Sequence, residues 1–185
     1  ALRSLPARVA EEHSETPYVT RRAMDFLSEQ DGETPWLLHL SYIKPHWPYV
    51  APAPYNDMYS ANDVVPPVRS DLELDNPNPL MKHLMERVAG KTFSTQEARE
   101  KVIPVYMGLI TQIDDQLGLL FDFMKGKDLL ENTMIVFTSD HGDYFGDHWM
   151  GDKNYFHDQS VKVPLIIADP SRSADGTRGT TDHSL

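Results

Sequence analysis

Apolar and polar positions along the chain alternate in helix-like and strand-like stretches. Thr16-Pro17 opens a helix, with Thr as N-cap and Pro at the first helical position. Val19, Ala23, Phe26 and Leu27 share its apolar face, Arg21, Arg22, Glu29 and Gln30 face solvent, and Asp31-Gly32 ends it. Trp36 to Tyr42, WLLHLSY, is almost continuously apolar and reads as a buried strand of a parallel sheet. A helix leading into such a strand is half of a βαβ unit. Leu80 to Ala89 predicts another amphipathic helix, with Leu80, Leu84, Met85 and Val88 apolar and Gly90 as its stop. Thr95 begins the longest helix, closed by Gly126. There Val102, Tyr106, Leu109, Ile113, Leu117, Leu120 and Met124 repeat at the 3.6 period. Pro104 should kink that helix or mark its true start. Thr133 to Thr138 and Val163 to Ala168 read as two further buried strands.

Between these elements the chain is polar or rich in proline. Residues 1–13 read as a linker, Tyr55 to Pro79 as a surface excursion, and 171–185 as a loop or tail in which His183 is a surface residue. The whole, 1–185, reads as one domain or part of one, large enough to bury a sizeable core. Alternating helices and apolar strands place it in the α/β class: a three-layer α/β/α sandwich with a mostly parallel sheet, present only in part.

Charge narrows the function. Against 17 Lys and Arg stand 28 Asp and Glu, a net charge of −11, and no basic stripe stands out, which argues against a nucleic-acid partner. An anionic substrate is repelled at long range, so an anion site here needs concentrated cations or a metal. With no cysteine there is no disulfide, thiolate metal site or Cys nucleophile in this chain. That composition fits a cytoplasmic protein. No run of eighteen apolar residues offers a membrane span, and the start has no apolar signal core.

Candidate chemistry lies at two strand ends, which by themselves read also as a capping Asp with a solvated His and as a surface loop whose aromatics pack on the sheet. Thr133 to Thr138 stops at Ser139-Asp140-His141-Gly142, placing a hard oxygen and an imidazole nitrogen where α/β sheets bind ligands. Gly142 would let the backbone turn there. Trp36 to Tyr42 runs into a loop carrying Lys44, His46, Trp47 and Tyr49 among Pro45, Pro48, Pro52 and Pro54, whose fixed φ angles stiffen it. Stiff placement of a His at that edge suits oxyanion binding. Asp114-Asp115 lie in mid-helix and read as solvent-facing or paired with a nearby Lys or Arg.

SDHG at Ser139 to Gly142, GDH at Gly146-Asp147-His148, Lys153 and VPLII from Val163 together resemble the C-terminal signature of the formylglycine sulfatases, in the alkaline phosphatase superfamily. Trp149 after GDH, and SYIKPHWPYVAP at Ser41 to Pro52, are most similar to the phosphonate monoester hydrolase branch. The resemblance runs from about Glu12 to Pro170 and implies an alkaline-phosphatase-like sandwich. It implies metal-dependent hydrolysis of a small anionic ester, a phosphonate monoester or phosphate diester. An arylsulfatase, or a non-catalytic metal-binding or interaction module, stands as the alternative. Asp140 and His141 become metal ligands, for manganese or calcium by family and for magnesium or zinc by donor type. His46 and Lys153 become the catalytic groups that bind substrate oxygens or assist the leaving group. His148 becomes a substrate contact or a brace of the Asp140-His141 loop, while Asp147 and Tyr155 are structural. The full-length enzyme is expected to be a homo-oligomer.

Ser4-Leu5-Pro6-Ala7-Arg8 formally matches the family's nucleophile motif. In the family that motif follows a strand bearing paired metal-binding acids and lies much further upstream of the histidine loop. No nucleophile is therefore assigned here. The chain reads as the C-terminal part of a catalytic domain, inactive alone.

Overall fold

The computed structural model describes residues 5–181. Ser4, of the nucleophile-like match, and His183 lie outside them.

The axis of the molecule is the helix α5, Gln96–Gly126; α1, Glu15–Ser28, packs against it. Thr95 caps α5 by accepting the Ala98 N–H at 3.3 Å, and Pro104 is carried inside the helix without ending it. The buried stripe of α5 is rotated from the expected one. Val105, Leu109, Leu120 and Met124 are buried, but so are Gln112 and Gln116, while Ile113 and Leu117 are only half-buried. The two amides are satisfied rather than stranded: both donate to Glu11 Oε1, at 3.4 and 3.3 Å, and Gln112 also to Ser14 Oγ at 3.0 Å. Glu11 thus ties the stretch read as a linker to the body, as does the Ala7 N–H bonded to the Ala51 carbonyl at 2.8 Å.

Helix α1 begins after Ser14, not Thr16, and buries Thr16, Pro17, Thr20, Ala23 and Leu27. Ala23 and Leu27 meet Leu120 and Met124 in one core cluster, fringed by Phe26, Trp36, Leu38 and Leu40. Each leucine sealed there contributes about 1.5–3 kcal/mol. Leu80 to Ala89 is two helices, not one: α3, Pro79–Glu86, and α4, Val88–Phe93, broken at Arg87, with Gly90 inside the second. A short α2, Leu72–Asp75, precedes them. Asp115 is exposed and accepts the Tyr55 hydroxyl at 2.8 Å, so its partner is a phenol and not a cation.

The sheet departs most from expectation. Strands β1, Ile135–Thr138, and β2, Leu165–Ala168, pair antiparallel, with Ile135 opposite Ala168. Trp36 to Tyr42 forms no strand and joins no ladder among the described residues. The molecule is mostly helical with a small two-stranded sheet, in place of a mostly parallel one. An antiparallel pair needs no crossover helix, and residues 139–164 are spent on loops, a 3-10 turn at Asp147–Trp149 and one short α-helix, α6, Asp158–Val161. Nor are these strands buried: Val136 is 55% exposed, Ile166 61% and Ile167 58%. Among the described residues no helix is long and apolar enough to cross a membrane.

Candidate functional site

The chain leaves β1 at Thr138 and turns through 139–143. His141 Nδ1 lies 2.7 Å from the Gly142 carbonyl, which accepts, so the proton belongs on Nδ1 and the lone pair on Nε2. That Nε2 stands 3.6 Å from Asp140 Oδ2, on a side chain 88% exposed. Gly142 is required for packing more than for turning. Its φ is not positive, and a Cβ there would fall 2.1 Å from the Gln159 carbonyl oxygen of α6. Its N–H donates to the Ser160 carbonyl at 2.9 Å, tying the turn to that helix.

The proline-rich loop arrives from the other side. Lys44 donates to the His46 and Pro48 carbonyls at 3.3 and 2.8 Å, which makes it a brace of its own loop. His46 Nδ1 lies 3.0 Å from the Trp47 carbonyl, and His46 Nε2 lies 3.1 Å from Lys153 Nζ. One tautomer serves both: Nδ1–H donates to the carbonyl and Nε2 accepts from the ammonium. The His46 ring stands edge-on to His141, with centroids 5.9 Å apart. Asp140, His141, His46 and Lys153 therefore form one group, drawn together across 107 positions between His46 and Lys153. Lys153 also has Asp152 Oδ1 at 3.8 Å, leaving a cation beside an imidazole at an open edge.

His148 is turned elsewhere. Its Nδ1 is 2.6 Å from Glu73 Oε1, and its ring stacks on His157 at 4.0 Å. His157 in turn meets the Tyr144 hydroxyl at 3.1 Å. Burial pushes the His157 imidazole below its ordinary value, the neighbouring His148 pushes the same way, and Glu73 opposes them. Against the upward pull of burial, hydrogen bonds from His148 and the Ser70 backbone hold the Glu73 carboxyl low.

The GDHW turn is clasped to residues 65–73. Asp147 accepts from the Val68 N–H at 2.9 Å and from Gln159 at 3.0 Å, and the Trp149 indole donates to the Ser70 carbonyl at 2.9 Å. Arg69 lies over the Trp149 ring at 4.1 Å. Arg99, 2% exposed, donates to the Phe145 carbonyl and, at 2.7 Å, to that of Val65. Phe145, His148, Trp149, Asp152 and Asn154 all have positive φ, and Gly146 has φ +97°, so the loop keeps its shape through these clasps. Sequence reasoning missed Arg99, Glu73 and His157, which no motif marks. It also missed Asp143, although Asp143 directly follows SDHG.

An oxygen and an imidazole nitrogen facing one another suit manganese, calcium, magnesium or zinc. Asp140 and His141 fit as two ligands of a larger shell. Among the described residues no group of three or more His, Asp or Glu is placed to hold a metal alone.

The chain is 37% identical to the multifunctional alkaline phosphatase superfamily protein PehA of Trinickia caryophylli, over 91% of this chain and 35% of that protein. An arylsulfatase of Clostridium perfringens is 32% identical over 89% of the chain and 34% of its own length. Among solved structures, the phosphonate monoester hydrolase of Agrobacterium radiobacter superposes with a TM-score of 0.82 at 30% identity. That match covers 90% of this chain and 35% of the other. The chain thus spans about a third of the length of these relatives. The sequence model described as Sulfatase matches residues 10–184, which include both site loops and both strands, and the chain belongs to that family, within the alkaline phosphatase superfamily.

Proposed function

We propose that this chain is the part of a larger catalytic domain that binds the metal and the oxyanion during hydrolysis of phosphonate monoesters or phosphate diesters. The observation that carries the reading is the Lys153–His46 pair at 3.1 Å, with His46 edge-on to His141. An ester of a phosphorus oxyanion spreads charge over several oxygens, so catalysis is mostly positioning and positive charge. Lys153 would turn its ammonium from His46 to a substrate oxygen. His46, released on Nε2, would hold a second oxygen or pass a proton to the leaving group. Asp140 and His141 would contribute two ligands to a divalent metal, manganese or calcium, which when bound supplies charge to one ester oxygen. His148 acts through its bond to Glu73, holding the GDHW turn and so the Asp140-His141 loop.

Relatives at similar identity include enzymes named for phosphonate esters and for sulfate esters. An arylsulfatase is therefore the second reading, because a lysine, a histidine and a metal serve either oxyanion. The test is an assay of the complete polypeptide on aryl phosphonate monoester, phosphate diester and sulfate ester. The expected outcome is preference for the phosphonate or diester, falling by about 100-fold or more in Lys153→Ala and Asp140→Ala. Preference for the sulfate moves the enzyme to the second reading. No turnover on all three leaves a metal-binding module.

A further inference from the structure

Tyr49 stands in the proline-rich loop three residues beyond His46. Its hydroxyl donates to Asp143 Oδ2 at 2.9 Å, and Asp143 lies two residues beyond His141. The other carboxyl oxygen accepts the Phe145 N–H at 3.1 Å, and the backbone N–H of Asp152, next to Lys153, acts on the same carboxyl. One carboxyl group thus joins the 46–49 loop to the turn that follows His141. The Tyr49 ring is held by three aromatic neighbours, with centroids 5.5 Å from Phe145, 6.2 Å from Phe93 and 6.3 Å from Tyr106. Such a box leaves the hydroxyl little freedom to point elsewhere. A hydrogen bond to a carboxylate screened by aromatic rings is stronger than a neutral one in water.

We propose that Tyr49 is a positioning residue: through Asp143 it sets the Asp140-His141 donor pair at its working separation from His46 and Lys153. The proposed metal ligands lie on one loop and His46 on the other, and this bond crosses between them. Without the hydroxyl, Asp143 keeps its backbone donors but loses the loop that carries His46. The Asp140-His141 turn then has one fewer tie to the loop that carries His46. Groups that orient metal ligands from behind typically change metal affinity or activity 10–100-fold.

The inference rests on the proposed reading of Asp140 and His141, so its test reads metal binding apart from turnover. In the complete polypeptide, Mn2+ affinity is measured by titration calorimetry for the wild type, Tyr49→Phe and Tyr59→Phe. Tyr59→Phe is the control: it deletes a like phenol hydroxyl, bonded to Thr111 at 2.8 Å on another part of α5. Tyr49→Phe is expected to weaken Mn2+ binding by about 10-fold or more, while Tyr59→Phe leaves it unchanged. Because Tyr49 acts through Asp143, adding Tyr49→Phe to Asp143→Asn is expected to cost little beyond Asp143→Asn alone. A wild-type Kd in Tyr49→Phe overturns the proposal, as does an equal loss in Tyr59→Phe or full additivity with Asp143→Asn. A wild type that binds no Mn2+ overturns it too. A wild type that binds Mn2+ yet hydrolyses no ester sinks the proposed reaction only, and the Kd comparison still decides the role of Tyr49.

Discussion

At the scale of single residues, the imidazoles of this chain divide by their partners. His46 and His141 each spend Nδ1 on a neighbouring backbone carbonyl, which leaves Nε2 for chemistry. His148 and His157 spend theirs on Glu73, on Tyr144 and on each other's faces. His157 makes stability depend on pH, with a definite sign. The folded His157 value lies below its ordinary 6.5, so between the two values the unfolded chain binds more protons than the folded one. That contribution is whole above about 6.5 and is lost as pH falls through the folded value. Thermal unfolding followed from pH 7.5 to 5.5 should show Tm dropping, and His157→Gln should make the drop shallower. Equal slopes in the two proteins would assign the pH dependence elsewhere.

At the scale of elements, the long helix α5 does more than supply a core face. From its first turn Arg99 reaches the carbonyls of Phe145 and Val65, pinning the site loop and the 65–73 segment to one rigid helix. Arg99→Ala would open a cavity and strand both carbonyls, at a cost of about 2–4 kcal/mol. Urea unfolding should show this as a lower midpoint. Lys101→Ala, at an exposed position paired with Glu97 one turn away, should shift it little. If the two substitutions shift the midpoint alike, Arg99 is not a pin. The expected apolar stripe of α5 was nearly right because 3.6-residue periodicity is local. Its rotation onto Gln112 and Gln116 was not legible, since it depends on Glu11 and Ser14, about a hundred positions away, supplying partners.

At the scale of the whole molecule, the sheet is the exposed element. Leu165 is 48% exposed, Ile166 61%, Ile167 58% and Val136 55%, and Leu37 in the stretch before the proline loop is 90% exposed. Apolar surface on a two-stranded ladder is a template for pairing with another chain. Produced as these 185 residues alone, the protein should self-associate with rising concentration in light scattering coupled to gel filtration. Ile166→Lys should reduce that association by placing a charge on the ladder. A monomer at all concentrations would mean that the exposed strands carry no drive to assemble.

The sequence alone determined the family and the helices at 15–28 and 96–126 to within a residue or two. These are written in local patterns: amphipathic period, proline spacing and strings such as SDHG and KPHWPY, whose meaning survives without knowing what they touch. Tertiary structure alone decided that β1 and β2 run antiparallel, that Trp36 to Tyr42 joins no ladder among the described residues, and that His148 faces Glu73 instead of His46. It alone showed Asp143 joined to Tyr49. The reason is physical. A run of apolar residues states that the backbone is extended but not which neighbour it bonds. Likewise a polar side chain states what it can bond, while its partner is chosen by the distant residue that burial brings within about 3 Å.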